Sequence, residues 1–146
     1  MAQVSTYLNF SNKTEEAFNF YKSIFGGEFT GGIMRFSDIP PSENMPPLPV
    51  ADKKLVMHVA LPILGGHVLM GTDAPESMGF TINVGNNVYI NLQPDTRSET
   101  ERLFKALSKE GTVEQELQDM FWGDYYGSCK DKFGVQWMFA CTEKSN

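Results

Sequence analysis

A strand followed by an amphipathic helix occurs twice in this chain, and this repetition restricts the possible folds more than any other feature. The strand sequence YLNF at 7–10 is answered by YINL at 89–92. Near the end of each half, a tight turn leads into a final strand, at 65–70 and at 133–138. A period this long predicts a twofold domain rather than a solenoid of short repeats.

Each repeat predicts the same order of elements. The segments 12–15 and 96–99 each combine an N-cap residue with a glutamate three positions later, which is typical of a helix start. An apolar stripe, a glycine and further strand-like segments follow in both halves. We therefore predict an α+β fold in which duplicated βαβββ modules form a curved mixed/antiparallel sheet with the helices on its outer face. The length predicts a single domain, 1–146, with halves at about 1–76 and 77–146.

Charge and hydropathy exclude several classes of partner. The net charge is −6 and no cluster of Lys or Arg is present, so we expect neither nucleic-acid nor anionic membrane binding. The apolar runs are far shorter than the ~20 residues of a membrane helix, and the N-terminus does not read as a signal peptide. We expect a cytoplasmic protein in which Cys129 and Cys141 are reduced, buried thiols. A turn at 131–134 places Cys129 opposite residue 137 and not opposite Cys141.

The segment from Ile39 to Val50 holds five of the eight prolines. Proline donates no ladder hydrogen bond, so this segment is not a central strand. Two interpretations stay open, a lid over a pocket and an ordinary surface loop.

Strand alternation predicts which side chains face away from the helices. The apolar set of the first strand, Thr6, Leu8 and Phe10, belongs against a helix, so Tyr7 and Asn9 point to the opposite, concave side. The same alternation in the other strands adds Tyr89, Asn91, Gln136, Met70 and Met138 to that side. Apolar walls with a few amide and hydroxyl groups are typical of small-molecule sites. A face that is filled, or covered by a second subunit, is the alternative.

Several segments resemble one known superfamily. The helix EEAFNFYKSIFGGEF at 15–29, FWGDYYG at 121–127 and DKFGVQWMF at 131–139 are similar to the glyoxalase/bleomycin resistance proteins, also called vicinal oxygen chelate proteins. Within it the chain resembles the PhnB-like branch, whose members also carry the name 3-demethylubiquinone methyltransferase-like. The resemblance implies a homodimer that binds a small molecule on the concave sheet face.

The same resemblance bears on metal binding. Metal-dependent members carry four His, Glu or Gln ligands, and the matching positions here are Ser5, Met70, Asn87 and Met138. Divalent ions prefer imidazole or carboxylate donors, so we expect no metal site and no other cofactor. No glycine-rich nucleotide loop follows the first strand, which argues against a methyltransferase of the doubly wound type.

His58 is the candidate catalytic residue, because an imidazole in a pocket can act as a general base near neutral pH. A structural histidine, hydrogen-bonded across the sheet, is the alternative. Asp73 either accepts a ligand hydroxyl or starts a turn. The expected ligand-pocket residues are Tyr7, Asn9, Phe36, Met70, Tyr89, Asn91, Trp122, Tyr126, Gln136 and Met138.

Three functions are therefore open. The first is binding of an unidentified small molecule without a metal. The second is a metal-independent lyase or isomerase, or a glyoxalase-related enzyme, that uses His58. The third is an interaction module whose cavity is filled by side chains. Resemblance of fold does not separate them.

Overall fold

The computed structural model describes residues 1–40 and 47–145. It forms two compact units, Met1–Asn83 and Val84–Asn146. Part of the proline-rich segment, 41–46, lies outside the described residues, so the choice between lid and surface loop stays open. In the described part of the chain, no helix has the length and apolar character needed to cross a membrane.

The N-terminal unit contains one helix and one four-stranded sheet. Its elements are β1 (Thr6–Phe10), α1 (Thr14–Phe25), β2 (Met34–Arg35), β3 (Val56–Pro62) and β4 (Val68–Asp73). The strand order is β1-β4-β3-β2, with β1 parallel to β4 and the other neighbours antiparallel. Short 3-10 turns occupy Phe36–Asp38, Val50–Lys54, Leu64–Gly66 and Glu76–Met78.

The C-terminal unit repeats this plan. Its elements are β5 (Ile90–Leu92), α2 (Arg97–Ser108), β6 (Thr112–Asp119), β7 (Tyr125–Lys130) and β8 (Gln136–Cys141). The order β5-β8-β7-β6 has the same parallel and antiparallel pairings. The predicted α+β fold of two βαβββ modules is confirmed, and each module has its own mixed four-stranded sheet.

Each helix packs on one face of its own sheet. In the N-terminal unit the Phe18 ring lies over Gly71, where a Cβ atom would come within 2.4 Å of the ring, so glycine makes room for the aromatic side chain. In the C-terminal unit Phe104 packs edge-to-face on Phe139, with ring centroids 5.2 Å apart. The opposite face of each sheet, which we call the open face of that unit, is therefore turned away from the helix.

The two helices start differently, and one predicted cap is wrong. Thr96 caps α2, since its hydroxyl oxygen accepts a hydrogen bond from the Glu99 amide at 3.1 Å. The expected cap of α1 at Asn12 is absent, because α1 begins at Thr14 and a distant carboxylate caps it. Asp73 Oδ1 accepts from the Thr14 amide at 3.1 Å and from its hydroxyl at 2.8 Å. Sequence inspection finds only local caps, and this one comes from β4.

The cysteines lie where the strand register predicts. Cys129 is paired with Trp137, and Cys141 with Tyr125. Both thiols are free and buried. Burial, with a smaller contribution from Asp131, raises the pKa of Cys129 to about 12. The interpretation of both residues as unpaired thiols is confirmed.

Candidate functional site

The open face of the N-terminal unit carries four of the predicted site residues, namely Tyr7, Asn9, His58 and Met70. Tyr7 lies beside Met70 on β4, and Ala60 on β3 lies on the other side of Met70. Asn9 is exposed, one step further along the same face. Tyr7 is 48% exposed, so a ligand has access to its ring. Met34 on β2 lies beside His58 on β3 and is also exposed. The sequence did not indicate that Met34 belongs to this face.

Tyr7 and His58 are in direct contact on this face. The Tyr7 hydroxyl lies 3.2 Å from His58 Nδ1, and the ring centroids are 5.8 Å apart. Burial raises the pKa of Tyr7, so the phenol is protonated near neutral pH. The tautomer of the imidazole sets the direction of the contact: either Nδ1–H donates to the phenol oxygen, or the phenol donates to an unprotonated Nδ1. In the first case Nε2 keeps its lone pair and can accept a proton.

The positions that match metal ligands offer poor donors. The Ser5 hydroxyl donates to Met70 Sδ at 3.8 Å, so these two positions do meet in space. A hydroxyl and a thioether suit neither a hard nor a borderline divalent ion. Asn87 and Met138 supply an amide and another thioether. Within residues 1–40 and 47–145, no group of three or more His, Cys, Asp or Glu side chains is placed to hold a metal ion. These four residues are therefore poor ligands for the divalent ion that the metal-dependent members of the resembling superfamily bind.

Other sequence candidates in this unit have structural partners. Asp73 accepts three hydrogen bonds, two from Thr14 and one from the Val56 amide at 2.9 Å, and is buried. It joins α1, β3 and β4, and at 3% exposure it offers almost no surface to a ligand hydroxyl. His67 Nε2 lies 2.8 Å from the Thr6 hydroxyl. Phe36 is only 7% exposed, so little of its ring is open to a ligand.

The open face of the C-terminal unit carries the remaining candidates. Met138 lies between Asn91 on β5 and Ser128 on β7, and Tyr126 lies beside Ala140. The Trp122 ring packs edge-on against Tyr126, with centroids 6.0 Å apart, and its Nε1 donates to Asp124 Oδ2 at 3.2 Å. Ser128 was missed in the sequence. The predicted pairing of Cys129 with residue 137 would have placed it opposite Met138.

Two side chains of this face make contacts that the sequence does not signal. Gln136 is buried and its Nε2 donates to the Val88 carbonyl at 2.8 Å. The Tyr89 hydroxyl donates to Glu114 Oε1 at 2.9 Å, which raises the pKa of Tyr89. Tyr89 immediately precedes β5, and Glu114 belongs to β6. These are the two outer strands of this sheet, so the contact reaches over β8 and β7.

The sequence is similar to a known protein family and to a protein of Escherichia coli. The sequence model of the family described as 3-demethylubiquinone-9 3-methyltransferase matches residues 2–140. Protein YjdN of Escherichia coli is 28% identical over 150 residues, which cover 97% of this chain and 96% of YjdN.

Solved structures show the same fold. A Pseudomonas aeruginosa protein is 31% identical with a TM-score of 0.83, and the match covers 99% of this chain and 100% of that one. A Bacillus cereus PhnB protein is 26% identical with a TM-score of 0.72, covering 96% and 99%. A glyoxalase/bleomycin resistance/dioxygenase family enzyme from Burkholderia phytofirmans is 15% identical with a TM-score of 0.62, covering 94% and 98%, and shares the fold alone.

Proposed function

The chain belongs to the 3-demethylubiquinone-9 3-methyltransferase family, the PhnB-like branch of the glyoxalase/bleomycin resistance superfamily, and from this we propose that it binds a small organic molecule on its open sheet faces without a bound metal. One observation carries the proposal. Met70 and Met138 both lie on open faces, next to aromatic and amide side chains. Thioethers adapt to irregular apolar ligands, and the neighbouring polar groups orient them.

The family name does not by itself supply an activity. β1 is joined to α1 by Ser11, Asn12 and Lys13, without the glycines that bring a backbone close to a nucleotide phosphate. Both sheets are mixed, and neither has the succession of parallel strands that frames such a loop. We therefore propose binding as the function and do not extend methyl transfer to this chain.

A native pull-out experiment tests the binding proposal. Small molecules released from the purified wild-type protein are identified by mass spectrometry and compared with those from a Met70→Lys/Met138→Lys variant. We expect a stoichiometric ligand from the wild type and none from the variant, because each ammonium group would disrupt the apolar wall of its own open face. Met78→Lys is the matched control, since Met78 is an exposed methionine in a short 3-10 turn. Equal recovery from both lysine variants would contradict the proposal.

The metal-free part is tested separately. Zn²⁺, Ni²⁺ or Mn²⁺ is titrated into the apoprotein by calorimetry, with the metal content of the native protein measured in parallel. We expect no stoichiometric binding, because Ser5, Met70, Asn87 and Met138 are weak ligands for these ions. Tight metal binding that is lost in Met70→Ala would overturn the proposal that the protein binds its ligand without a metal.

A second function is favoured by the Tyr7–His58 contact. In this alternative the protein is a metal-independent lyase or isomerase, or a glyoxalase-related enzyme. His58 donates Nδ1–H to the Tyr7 oxygen and removes a proton from the ligand with Nε2. With the ligand from the pull-out experiment as substrate, His58→Gln should abolish turnover but retain binding. Binding without turnover by the wild type removes the alternative.

Location and assembly are proposed on the same family basis. We propose a cytoplasmic homodimer with no nucleic-acid partner. Light scattering after size-exclusion chromatography measures the assembly, and a mass of one 16.4 kDa chain would contradict it.

A further inference from the structure

The open face of the C-terminal unit contains a buried polar atom that lacks a partner. Gln136 is 4% exposed, and its Oε1 has no hydrogen-bond partner among residues 1–40 and 47–145. Buried side-chain carbonyls are nearly always paired, so an unpaired one marks a place where a donor from outside the chain is missing.

The orientation of the Gln136 amide is set by its other end. Nε2 donates to the Val88 carbonyl at 2.8 Å. Exchanging the two ends would place the side-chain oxygen against the Val88 oxygen, two acceptors in contact, which is unfavourable. The free atom is therefore an acceptor, and its missing partner is an N–H or O–H donor.

Two residues with donor side chains occupy neighbouring positions on the same face of the sheet. Lys130 is paired with Gln136 on β7, and Ser128 lies two residues further along the same face. Both side chains can donate hydrogen bonds, the first as an ammonium and the second as a hydroxyl. Met138, paired with Ser128, adds an apolar wall. One acceptor beside two donors matches a group that both donates and accepts.

The Tyr89–Glu114 contact lies at the same end of the sheet. Continuing the register of β5 and β8 by one residue places Tyr89 beside Gln136. Its hydroxyl is held by Glu114 at 2.9 Å, from the far strand. Both residues are at least partly exposed, so a ligand can reach this side-chain pair.

We propose that Gln136 is the acceptor of a carboxamide-recognition subsite, which takes an uncharged amide attached to an apolar body. The ligand N–H donates to Gln136 Oε1, and the ligand carbonyl accepts from Lys130 or Ser128. This inference rests on the proposed small-molecule binding and names the chemical class that the C-terminal open face selects.

Benzamide and methyl benzoate test the subsite as matched probes, because only benzamide carries N–H donors. Both are titrated into the full-length protein labelled with ¹⁵N-glutamine and ¹³C-methionine methyl groups. The Gln136 side-chain signal is assigned from its absence in Gln136→Met, a substitution of similar size. Gln93→Met makes the same change at an exposed glutamine and is the control.

We expect benzamide to shift the Gln136 amide signal saturably and to bind roughly tenfold more weakly to Gln136→Met than to wild type, the usual scale of one hydrogen bond. Methyl benzoate should bind equally to both. Tyr89→Phe, which loses the bond to Glu114, should strengthen benzamide binding.

If benzamide binds to Gln136→Met as tightly as to wild type, as methyl benzoate should, the carboxamide subsite is overturned. If both still shift the Met138 methyl signal, ligand binding at the open face survives and only the carboxamide assignment fails. If neither probe shifts Met138 or Gln136, the carboxamide assignment is refuted, while the native pull-out experiment remains the separate test of binding.

Discussion

The two sheets share one topology but differ by two residues in how their first strands lie against their last. Tyr7 is beside Met70 in the N-terminal sheet, whereas Asn91 is beside Met138 in the C-terminal sheet. The β3–β4 and β7–β8 pairs correspond residue for residue, since Ala60 pairs with Met70 as Ser128 pairs with Met138. The spatial counterpart of Tyr7 is therefore Asn91, although the sequence motif aligns it with Tyr89.

This shift by two shows which property duplication preserves. Side chains alternate with a period of two, so an even shift keeps each one on its original face and changes only its neighbours. Tyr7 on β1 reaches over one strand, β4, to contact His58 on β3. Tyr89 reaches over two strands, β8 and β7, to contact Glu114 on β6. The same face thus acquires different polar chemistry in each half.

The largest expected difference concerns the cores. Cys129 lies where the N-terminal unit has Leu61, and burial raises the pKa of its thiol to about 12. In a Cys141→Ala background, iodoacetamide labelling of Cys129 at pH 8 should be slower by roughly a thousandfold or more in the native protein than in urea. The raised pKa lowers the thiolate fraction about tenfold per pKa unit, and the buried sulfur is closed to the reagent. Mass spectrometry over time measures it.

The same pKa fixes a sign for stability. The unfolded thiol loses its proton near pH 9 and the folded one only near 12, so the contribution of Cys129 to stability is complete below pH 9 and falls as pH rises towards 12. Native labelling as fast as that in urea would contradict the shielding of this thiol.

The helix anchors give the next contrast. Asp73→Ala removes a buried carboxylate and leaves the Thr14 and Val56 donors unpaired, so unfolding free energy should fall by about 3 kcal/mol. Urea titration followed by circular dichroism measures it. Asp73→Asn should recover part of the loss, because its amide oxygen still accepts from Thr14. A loss no larger than that of a surface substitution would mean that α1 does not depend on β4.

Helix packing provides a third comparison. Gly71→Ala should cost about 2 kcal/mol, because the new methyl group meets the Phe18 ring at 2.4 Å. The corresponding C-terminal position is Phe139, which has a large side chain under α2 and no such constraint. Phe18→Leu combined with Gly71→Ala should be more stable than the sum of the single changes predicts. Simple additivity in a double-mutant cycle would show that the two residues do not compete for space.

The smallest effect is expected at the start of α2. Thr96→Ala removes one local cap, and the expected loss is about 1 kcal/mol, well below that of Asp73→Ala. Thr96→Ser is the matched control and should keep most of the stability. If Thr96→Ala lowers the free energy of unfolding as much as Asp73→Ala does, the local cap of α2 and the distant cap of α1 contribute equally to stability, contrary to this prediction.

Much of the fold and part of the candidate site followed from local patterns. Alternation in YLNF and YINL was enough to assign Tyr7 and Asn91 to the faces away from the helices. Cys129 could be paired with residue 137 because a tight turn sets the register of a hairpin. Asn12 was assigned as a cap wrongly, since the carboxylate that holds Thr14 is 59 residues away in sequence.

The sequence by itself determined the element order, the duplication and the face on which each strand residue lies, because these depend on the local periods of helices and strands. Only the tertiary structure decided which side chains meet: Asp73 with Thr14, Tyr89 with Glu114, and Gln136 with Val88. Such contacts depend on strand order and register between distant segments and on the reach of individual side chains. A short pattern in the sequence contains none of these.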